Sequence, residues 1–308
     1  MLALTLVYFV SISNSENESV IEHLFVNETH NGVSLSGIFA SLRNVTSEFS
    51  SNYGIHVQLA HDDLQAFEFS ASRNLGDGIV IDSVNPQYTA RVFHLDSCSV
   101  HNNGDSGFKV TAAAAVTVRN CVVHSHRLDA VTTDQSQGGS FRLEQSLVYE
   151  NQRAALWFHS DGVYVDSCTI RDHHYGYWRY SRWNTRPLIR ILYNRYKELA
   201  MDVNITNSEL VNNTADGIHL ELGYNSHGPR VRLDFQNNTV VNGNRTLFID
   251  DQGRGSTRYN RALYINILMN RFVNNFQTTG SFIEVENENN DYVTIGNNVF
   301  DGGYGFTS

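Results

Sequence analysis

The most chemically suggestive feature of this sequence is a pair of adjacent carboxylates, Asp250 and Asp251. Two carboxyl groups that flank one glycosidic bond can act as the acid and the base or nucleophile of its hydrolysis. Further carboxylates come from Asp-Gly pairs that precede an apolar residue, at Asp77-Gly78, Asp161-Gly162 and Asp216-Gly217. Because Asp-Gly also forms tight turns, its repetition favours a role in folding over catalysis. Asp250 and Asp251 remain as a weak catalytic candidate.

The histidines and lysines give little further support for catalysis. The 13 histidines lack the Cys/His spacing of a zinc site, so neither a metal nor another cofactor is expected. His101 and His124 follow equivalent apolar residues and are predicted to stack on the outer surface. The pairs His124/His126 and His173/His174 are interpreted as solvated turn residues. A lyase would need converging cations, and Lys109 and Lys197 are the only lysines.

The segment from His173 to Arg195 carries a dense run of aromatic and arginine side chains. Such residues are enriched at interaction hot spots, and insertions in repeat proteins project from one face. Residues 173–200 are therefore expected to form a loop that binds a glycan or a protein. The alternative, that the rings pack against their own repeat, stays equally open. The binding candidates are Tyr175, Trp178, Arg179, Arg182 and Trp183.

Seven sequons of the form N-x-[ST] favour a secreted glycoprotein, located outside the cell or on its surface. Several would arise by chance in a chain this rich in Asn, Ser and Thr, so the support is mild. The predicted glycosylation sites are Asn17, Asn27, Asn44, Asn204, Asn212, Asn237 and Asn244.

Charge and hydropathy exclude two classes of partner. The formal net charge is −10 and no segment concentrates Lys and Arg, so nucleic acids are not expected to bind. Leu2 to Val10 is apolar but shorter than the ~20 residues of a membrane-spanning helix. Residues 1–20 fit either a signal peptide or a first strand, and the lack of a preceding basic residue favours the strand.

A short repeat extends through nearly the whole chain. Each unit has two apolar residues in alternation, then an apolar anchor just before a polar turn, then a small residue followed by an apolar one, as in Gly107-Phe108 and Ala130-Val131. Eight anchors are Val100, Val123, Val148, Ile170, Leu210, Val240, Phe272 and Phe300. The alternating pairs are Phe93/Leu95, Val116/Val118, Phe141/Leu143, Val163/Val165, Val203/Ile205, Leu233/Phe235, Ile265/Ile267 and Val293/Ile295. Phe25, Phe49 and Phe69 extend the series of anchors upstream.

Units of this size cannot bury their own apolar faces, so they must stack on one another. Three short strands per unit predict an all-β, right-handed parallel β-helix of 10–11 coils that forms one domain over residues 1–308. The residues two before the anchors should point inward and stack, so that aligned Asn side chains hydrogen-bond from coil to coil. Cys98 and Cys121 hold this position on adjacent coils. A disulfide between them is conceivable, but two buried free thiols are preferred.

The repeat resembles that of pectin-degrading enzymes with a parallel β-helix fold. In those hydrolases the motifs N-T-D, D-D, G-H-G and R-I-K supply the reaction centre. Here Asn184-Thr185-Arg186 replaces the first motif and Arg190-Ile191-Leu192 the last, while His227-Gly228 lacks the leading glycine. The resemblance therefore implies the fold, and only Asp250-Asp251 matches the catalytic pattern.

A second resemblance is to the β-helix portions of the bark beetle (Anakonda) family, large transmembrane proteins of epithelial junctions. It is carried by the segments NNGDSGFKV, NLGDGIVID and NNTADGIHLEL. The resemblance implies a non-enzymatic extracellular scaffold for cell–cell adhesion or junction organisation, with a protein or glycan partner at the cell surface. Two alternatives stay open: a carbohydrate-active hydrolase or lyase, and a glycan-binding module without catalysis.

Overall fold

The structure is a computed structural model that describes thirty β-strands and no helix within the residues below. It describes residues 10–59, 63–83, 92–112, 114–135, 139–173, 188–193, 201–211, 217–222, 230–241, 247–251, 262–273, 281–286, 292–302 and 304–307. The strands follow one another around three parallel sheets. The long strands β1 (Val10–Asn27) and β2 (Val33–Glu48) each pass through all three sheets.

Nine strands continue sheet 1, and nine shorter ones continue sheet 2. Those of sheet 1 are β4 (Leu64–Phe67), β7 (Val92–Asp96), β10 (Ala115–Arg119), β13 (Ser140–Glu144), β16 (Gly162–Asp166), β19 (Met201–Thr206), β22 (Arg230–Gln236), β25 (Ala262–Leu268) and β28 (Tyr292–Gly296). Those of sheet 2 are β5 (Ser70–Ser72), β8 (Ser99–His101), β11 (Val122–His124), β14 (Leu147–Tyr149), β17 (Thr169–Arg171), β20 (Glu209–Val211), β23 (Thr239–Val241), β26 (Arg271–Val273) and β29 (Val299–Asp301).

Sheet 3 closes each coil. Its strands are β3 (Ile55–Leu59), β6 (Ile79–Ser83), β9 (Phe108–Val110), β12 (Val131–Thr133), β15 (Leu156–Phe158), β18 (Ile189–Tyr193), β21 (Ile218–Leu222), β24 (Leu247–Asp251), β27 (Ser281–Glu286) and β30 (Tyr304–Thr307). Each strand pairs in parallel with the corresponding strand of the next coil, for example β10 with β13 and β11 with β14. The described strands make eleven coils, so the predicted right-handed parallel β-helix is confirmed.

The predicted inward columns form the core. Phe93, Val116, Phe141 and Val163 pair in register and are fully buried. The anchors from Val100 to Phe272 are buried as well. Val293, Ile295 and Phe300 retain 36–38 % exposure because the last described coil has a neighbour on one side only.

The three upstream anchors are wrong. Ala71 pairs with Val100, Ser47 with Ala71, and Val26 with Ser47, so small residues hold the anchor position in the second and third coils and Val26 holds it in the first. Phe49 is 45 % exposed at a corner, and Phe25 is 40 % exposed on the outer face of sheet 2. The sequence pattern placed the anchors at aromatic residues because Ala and Ser, which line the interior of the early coils, give only a weak apolar pattern.

The corner between sheets 1 and 2 repeats with one geometry. One residue there adopts positive φ, as at Ser97, Asn120 and Asn237, and the following side chain turns inward. The backbone N–H of Asn238 donates to Oδ1 of Asn270 at 2.9 Å, and the N–H of Asn270 donates to Oδ1 of Asn298 at 2.8 Å. The predicted asparagine ladder is therefore confirmed, and it satisfies backbone donors that would otherwise be buried without partners.

The same ladder position holds the cysteines. Cys98 and Cys121 form a disulfide with their Cα atoms 4.5 Å apart, so the preference for two free thiols is wrong. Register alone brings neighbouring coils into the range that a disulfide spans. Cys168 is free and buried, and burial raises the pKa of its thiol to about 12.

A second ladder lies at the corner between sheets 2 and 3, three residues after the anchors Val100, Val123, Val148 and Ile170. The N–H of Asn103 donates to Nδ1 of His126 at 3.3 Å, and the N–H of His126 donates to Oδ1 of Asn151 at 3.0 Å. His126 and His173 are fully buried, so their interpretation as solvated turn residues is wrong. Burial lowers the pKa of His126 to about 3.

Part of the loop expected at residues 173–200 belongs to the β-helix itself. Ile189 of β18 pairs with Leu156 of β15, so residues 189–193 supply the sheet 3 strand of this coil. The repeat pattern predicts this strand earlier in the chain, at Gly176-Tyr177, which lies outside the described residues. Among the described residues, no helix is long and apolar enough to cross a membrane.

Candidate functional site

Outward positions on sheet 3 bring charged, hydroxyl and aromatic side chains from successive coils into two rows. We call this surface the sheet 3 face and define it by the outward residues from β3 to β18. They are His56, Gln58, Val80, Asp82, Lys109, Thr132, Trp157, Arg190 and Leu192 on the strands, with Asp134 and His159 directly after β12 and β15. Since alternate strand residues point inward to the core, these side chains point out.

The first cluster on this face joins three coils. Nε2 of His56 lies 2.9 Å from Oδ2 of Asp82, and both side chains are partly exposed. The ring of Tyr53 meets the imidazole edge-on with 5.2 Å between the centroids. Burial raises the pKa of the Tyr53 phenol, whereas its hydrogen bond to Ser34 lowers it. The cluster thus places an imidazole, a carboxylate and two hydroxyls at one place.

Lys109 and Asp77 form the second cluster. The Lys109 ammonium lies 3.7 Å from Oδ2 of Asp77, while Oδ1 accepts the backbone N–H of Ser106 at 3.0 Å. Burial raises the pKa of the Asp77 carboxyl, and the bond from Ser106 opposes that shift. Asp77 belongs to one of the Asp-Gly pairs, and its bond across coils supports the structural role expected for that pair.

A third pair joins β12 to β15. Nδ1 of His159 lies 3.2 Å from Oδ1 of Asp134, whose side chain is 65 % exposed. The backbone N–H of His159 donates to the hydroxyl of Thr133 at 2.9 Å, which fixes the strand end that carries the imidazole. The exposed carboxylate keeps further lone pairs available to a ligand.

Trp157 lies beside this pair, half-buried between Thr132 and Arg190 in register. The Arg190 guanidinium carbon is 5.3 Å from the centroid of the Trp157 ring, a cation–π contact. The Arg190 guanidinium covers part of one face of the indole, and the Trp157 side chain keeps part of its surface exposed.

The catalytic candidates Asp250 and Asp251 end β24. Asp250 pairs in register with Glu221 of β21 and Glu286 of β27, so three acidic positions follow one another on adjacent strands of sheet 3. The sequence analysis did not find Glu221 or Glu286 because they come from other coils. Aligning the third strands of the repeat would have found them.

The binding candidates Tyr175, Trp178, Arg179, Arg182 and Trp183 lie outside the described residues. Asn212 and Asn244 also lie outside the described residues. Asn17 lies in β1, where only its backbone is described. Four other sequons have described side chains. Asn27 lies on sheet 2, Asn204 on sheet 1, and Asn44 and Asn237 at the corner between these sheets. None of these four lies on sheet 3.

The outer face of sheet 2 carries a stacked ladder. His101 stacks on His124 with 5.0 Å between centroids, and His124 stacks on Tyr149 at 4.4 Å. The guanidinium of Arg171 covers the Tyr149 ring at 5.2 Å. The predicted stacking of His101 on His124 is confirmed. Because neighbouring groups occupy the ring faces, this ladder stabilises the coil stack.

No group of three metal-ligating side chains is found among the described residues.

The protein-family comparison matches residues 31–184 to the model described as right handed beta helix region, which is half of the 308 residues. No curated protein matches the chain, so the resemblance to the bark beetle family finds no support there. Among solved structures, the chain is similar to the A-module of mannuronan C-5 epimerase AlgE4 from Azotobacter vinelandii, with 13 % identity and a TM-score of 0.49 over 97 % of this chain and 89 % of that one. It is also similar to pectate lyase Pel9A, with 12 % identity and a TM-score of 0.34 over 87 % of this chain and 68 % of that one. The family match identifies this chain as a member of the right-handed β-helix region family.

Proposed function

We propose that this β-helix works outside the cell as a recognition scaffold whose sheet 3 face binds an extended glycan chain. The observation that carries the proposal is the row of paired polar groups beside Trp157, which includes the Asp134–His159 pair. Carboxylates and imidazoles supply acceptors and donors for sugar hydroxyls, and an indole packs against the apolar side of a sugar ring. Rows that continue from coil to coil suit a ligand that is itself a repeating chain.

Two features support an extracellular setting. The disulfide between Cys98 and Cys121 is typical of an oxidising compartment. The four sequons with described side chains leave sheet 3 clear, so glycans attached to them would not cover the proposed binding face. The role in cell junctions remains a prediction of the sequence alone.

The proposal is tested by affinity electrophoresis of the purified chain in gels that contain a panel of neutral and acidic polysaccharides. Trp157→Ala is expected to weaken binding by about tenfold or more, because it removes the aromatic surface of the site. Tyr164→Ala is the matched control, since Tyr164 lies on sheet 1 under the guanidinium of Arg142, 4.5 Å from its ring centroid. Equal retardation of both variants and the wild type would contradict the proposal.

Glycoside hydrolysis is a second candidate, favoured by the register of Asp250 with Glu221 and Glu286. Paired carboxylates are the usual catalytic groups of that reaction. Turnover of a polysaccharide that Asp250→Asn abolishes would establish it, with release of reducing ends as the measurement. If the wild-type chain binds glycans and releases no reducing ends, this candidate is wrong.

A further inference from the structure

We infer that the glycan bound by the sheet 3 face is uncharged, a hydroxyl-rich chain that lacks carboxylate and sulfate groups. This inference rests on the proposed function and specifies the ligand class. It depends on three properties of the face: its histidines and its lysine are already paired, the carboxylates of these pairs outnumber their permanent cations, and the remaining hydrogen-bonding capacity suits hydroxyl groups.

The basic groups of the face already have partners. His56 pairs with Asp82 at 2.9 Å, Lys109 with Asp77 at 3.7 Å, and His159 with Asp134 at 3.2 Å. Arg190 lies over the Trp157 ring. An anionic sugar would have to displace a carboxylate of the protein to reach any of these three paired bases. Such an exchange gains little, because one ion pair is broken for each one that forms.

Within the three pairs, acidic residues outnumber permanent cations. The pairs contain the carboxylates of Asp77, Asp82 and Asp134 but a single permanent cation, Lys109, because the other two bases are imidazoles. Oδ1 of Asp82 is buried with no hydrogen-bond partner, and Oδ2 lies 2.9 Å from Nε2 of His56. The field of these carboxylates disfavours the approach of a polyanion.

The acidic character continues along the sheet and in the chain as a whole. Glu221, Asp250 and Glu286 hold successive register positions on the later strands of sheet 3. The whole chain has a formal net charge of −10. The acidic register positions and the negative net charge of the chain both disfavour a long polyanion as the ligand.

The remaining hydrogen-bonding capacity suits neutral sugars. A carboxylate has about four lone-pair sites, so a single contact with an imidazole leaves sites that accept hydroxyl hydrogens. Asp134 is 65 % exposed, so its carboxylate is accessible to a ligand, whereas Asp82 is 30 % exposed and its Oδ1 is buried. Trp157 adds an aromatic surface that binds a sugar ring without regard to charge.

The test uses matched pairs of polymers that differ only in charge. Polygalacturonate and hyaluronan are each compared with the form in which the carboxylates are reduced to alcohols. Cellulose oligosaccharides are compared with the form in which the hydroxymethyl groups are oxidised to carboxylates. Binding of the purified chain is measured by calorimetry at low and moderate salt. We expect a neutral member to bind at least about tenfold more tightly than its acidic partner, with a smaller difference at high salt because the repulsion is screened.

A charge reversal sharpens the test. Asp134→Lys is expected to increase binding of the acidic members several-fold, whereas Glu209→Lys makes the same charge change at an exposed position on sheet 2 and should not. Equal or tighter binding of the acidic members by the wild-type chain would overturn this inference and leave the proposed function standing. If no polymer binds, both fail.

Discussion

Sheets 2 and 3 enclose the same core, yet their outer faces differ in where their polar and aromatic groups find partners. On sheet 2, His101, His124 and Tyr149 stack on one another along the coil axis under Arg171. On sheet 3, Trp157 stands among carboxylate–base pairs that keep part of their surface exposed. A continuous stack uses the ring faces to hold the coils together, whereas isolated pairs leave hydrogen-bonding sites for a ligand.

The largest effect is expected from the disulfide at the corner beside sheet 2. It closes a loop with a sequence separation of 23, and a loop of this size gains about 3 kcal/mol. Reduction should lower the free energy of unfolding by that order, as measured by denaturant unfolding with and without reductant. Glycan binding by the chain that remains folded should not change, because Cys98 and Cys121 lie away from sheet 3. If reduction weakens glycan binding while the chain is still folded, the proposal that stability and glycan recognition depend on different sheets is wrong.

The next effect concerns acid stability. Burial lowers the pKa of His126 to about 3 from its ordinary 6.5, so the unfolded chain takes up a proton below pH 6.5 while the folded chain does not. The contribution of His126 to the free energy of unfolding is therefore complete above pH 6.5. It falls as the pH drops toward 3, by about 2 kcal/mol at pH 5. His126→Asn should remove most of this loss, because Asn103 and Asn151 hold the same ladder position in the adjacent coils. Thermal melting of the wild type and of His126→Asn at pH 5 and 7 checks this prediction. Equal pH dependence of the two melting temperatures would refute it.

The stacked histidines should add a smaller loss in the same direction. Burial lowers the pKa of His101 and of His124, and the charge of Arg73 adds to the shift of His101. Their contribution to stability is present above their ordinary pKa and is lost as the pH falls through the lowered values. Some acid sensitivity should therefore persist in His126→Asn and become smaller when His124→Gln is added, with the contribution of His101 remaining. If the double variant melts with the same pH dependence as the single one, the stack is not a source of acid sensitivity.

The smallest effect is expected from Tyr149→Ala. It removes the ring between His124 and Arg171 and should cost about 1 kcal/mol beyond its lost buried area. Glycan affinity should stay at the wild-type value. Trp157→Ala should have the opposite profile, with lost affinity and little lost stability. Chemical denaturation and affinity electrophoresis on both variants compare the two faces directly.

The fold could be predicted because each coil repeats the same inward positions, and residues such as Val116 and Val118 show the period-two pattern in sequence. The early coils were misread because Ser47 and Ala71 line the interior without an apolar signal. The buried ladder with His126 was missed for a similar reason. Its members are polar and look like surface turn residues until they are aligned three positions after their anchors.

The candidate site could be predicted only in part. Asp250 stood out because an identical residue follows it, but Glu221 and Glu286 approach it through the register of the sheet. Asp82 and His56 likewise come from different coils, so their 2.9 Å contact has no counterpart in local sequence. The aromatic residue that defines the sheet 3 face, Trp157, stands alone in its strand. The dense run of aromatic residues between His173 and Arg195 gives a stronger sequence signal than this single residue.

The two-residue corner between sheets 1 and 2 has a consequence for how this scaffold can vary. From β4 to β29, two residues separate the strands of these sheets in every coil, with one of them at positive φ. An insertion there would interrupt the ladder and misalign the strands of that coil with those of its two neighbours. Length changes are therefore tolerated only in the connections that enter and leave sheet 3, as the long stretch between β17 and β18 illustrates. Engineering or evolution can thus graft new segments along both borders of sheet 3 without retuning the rest of the solenoid.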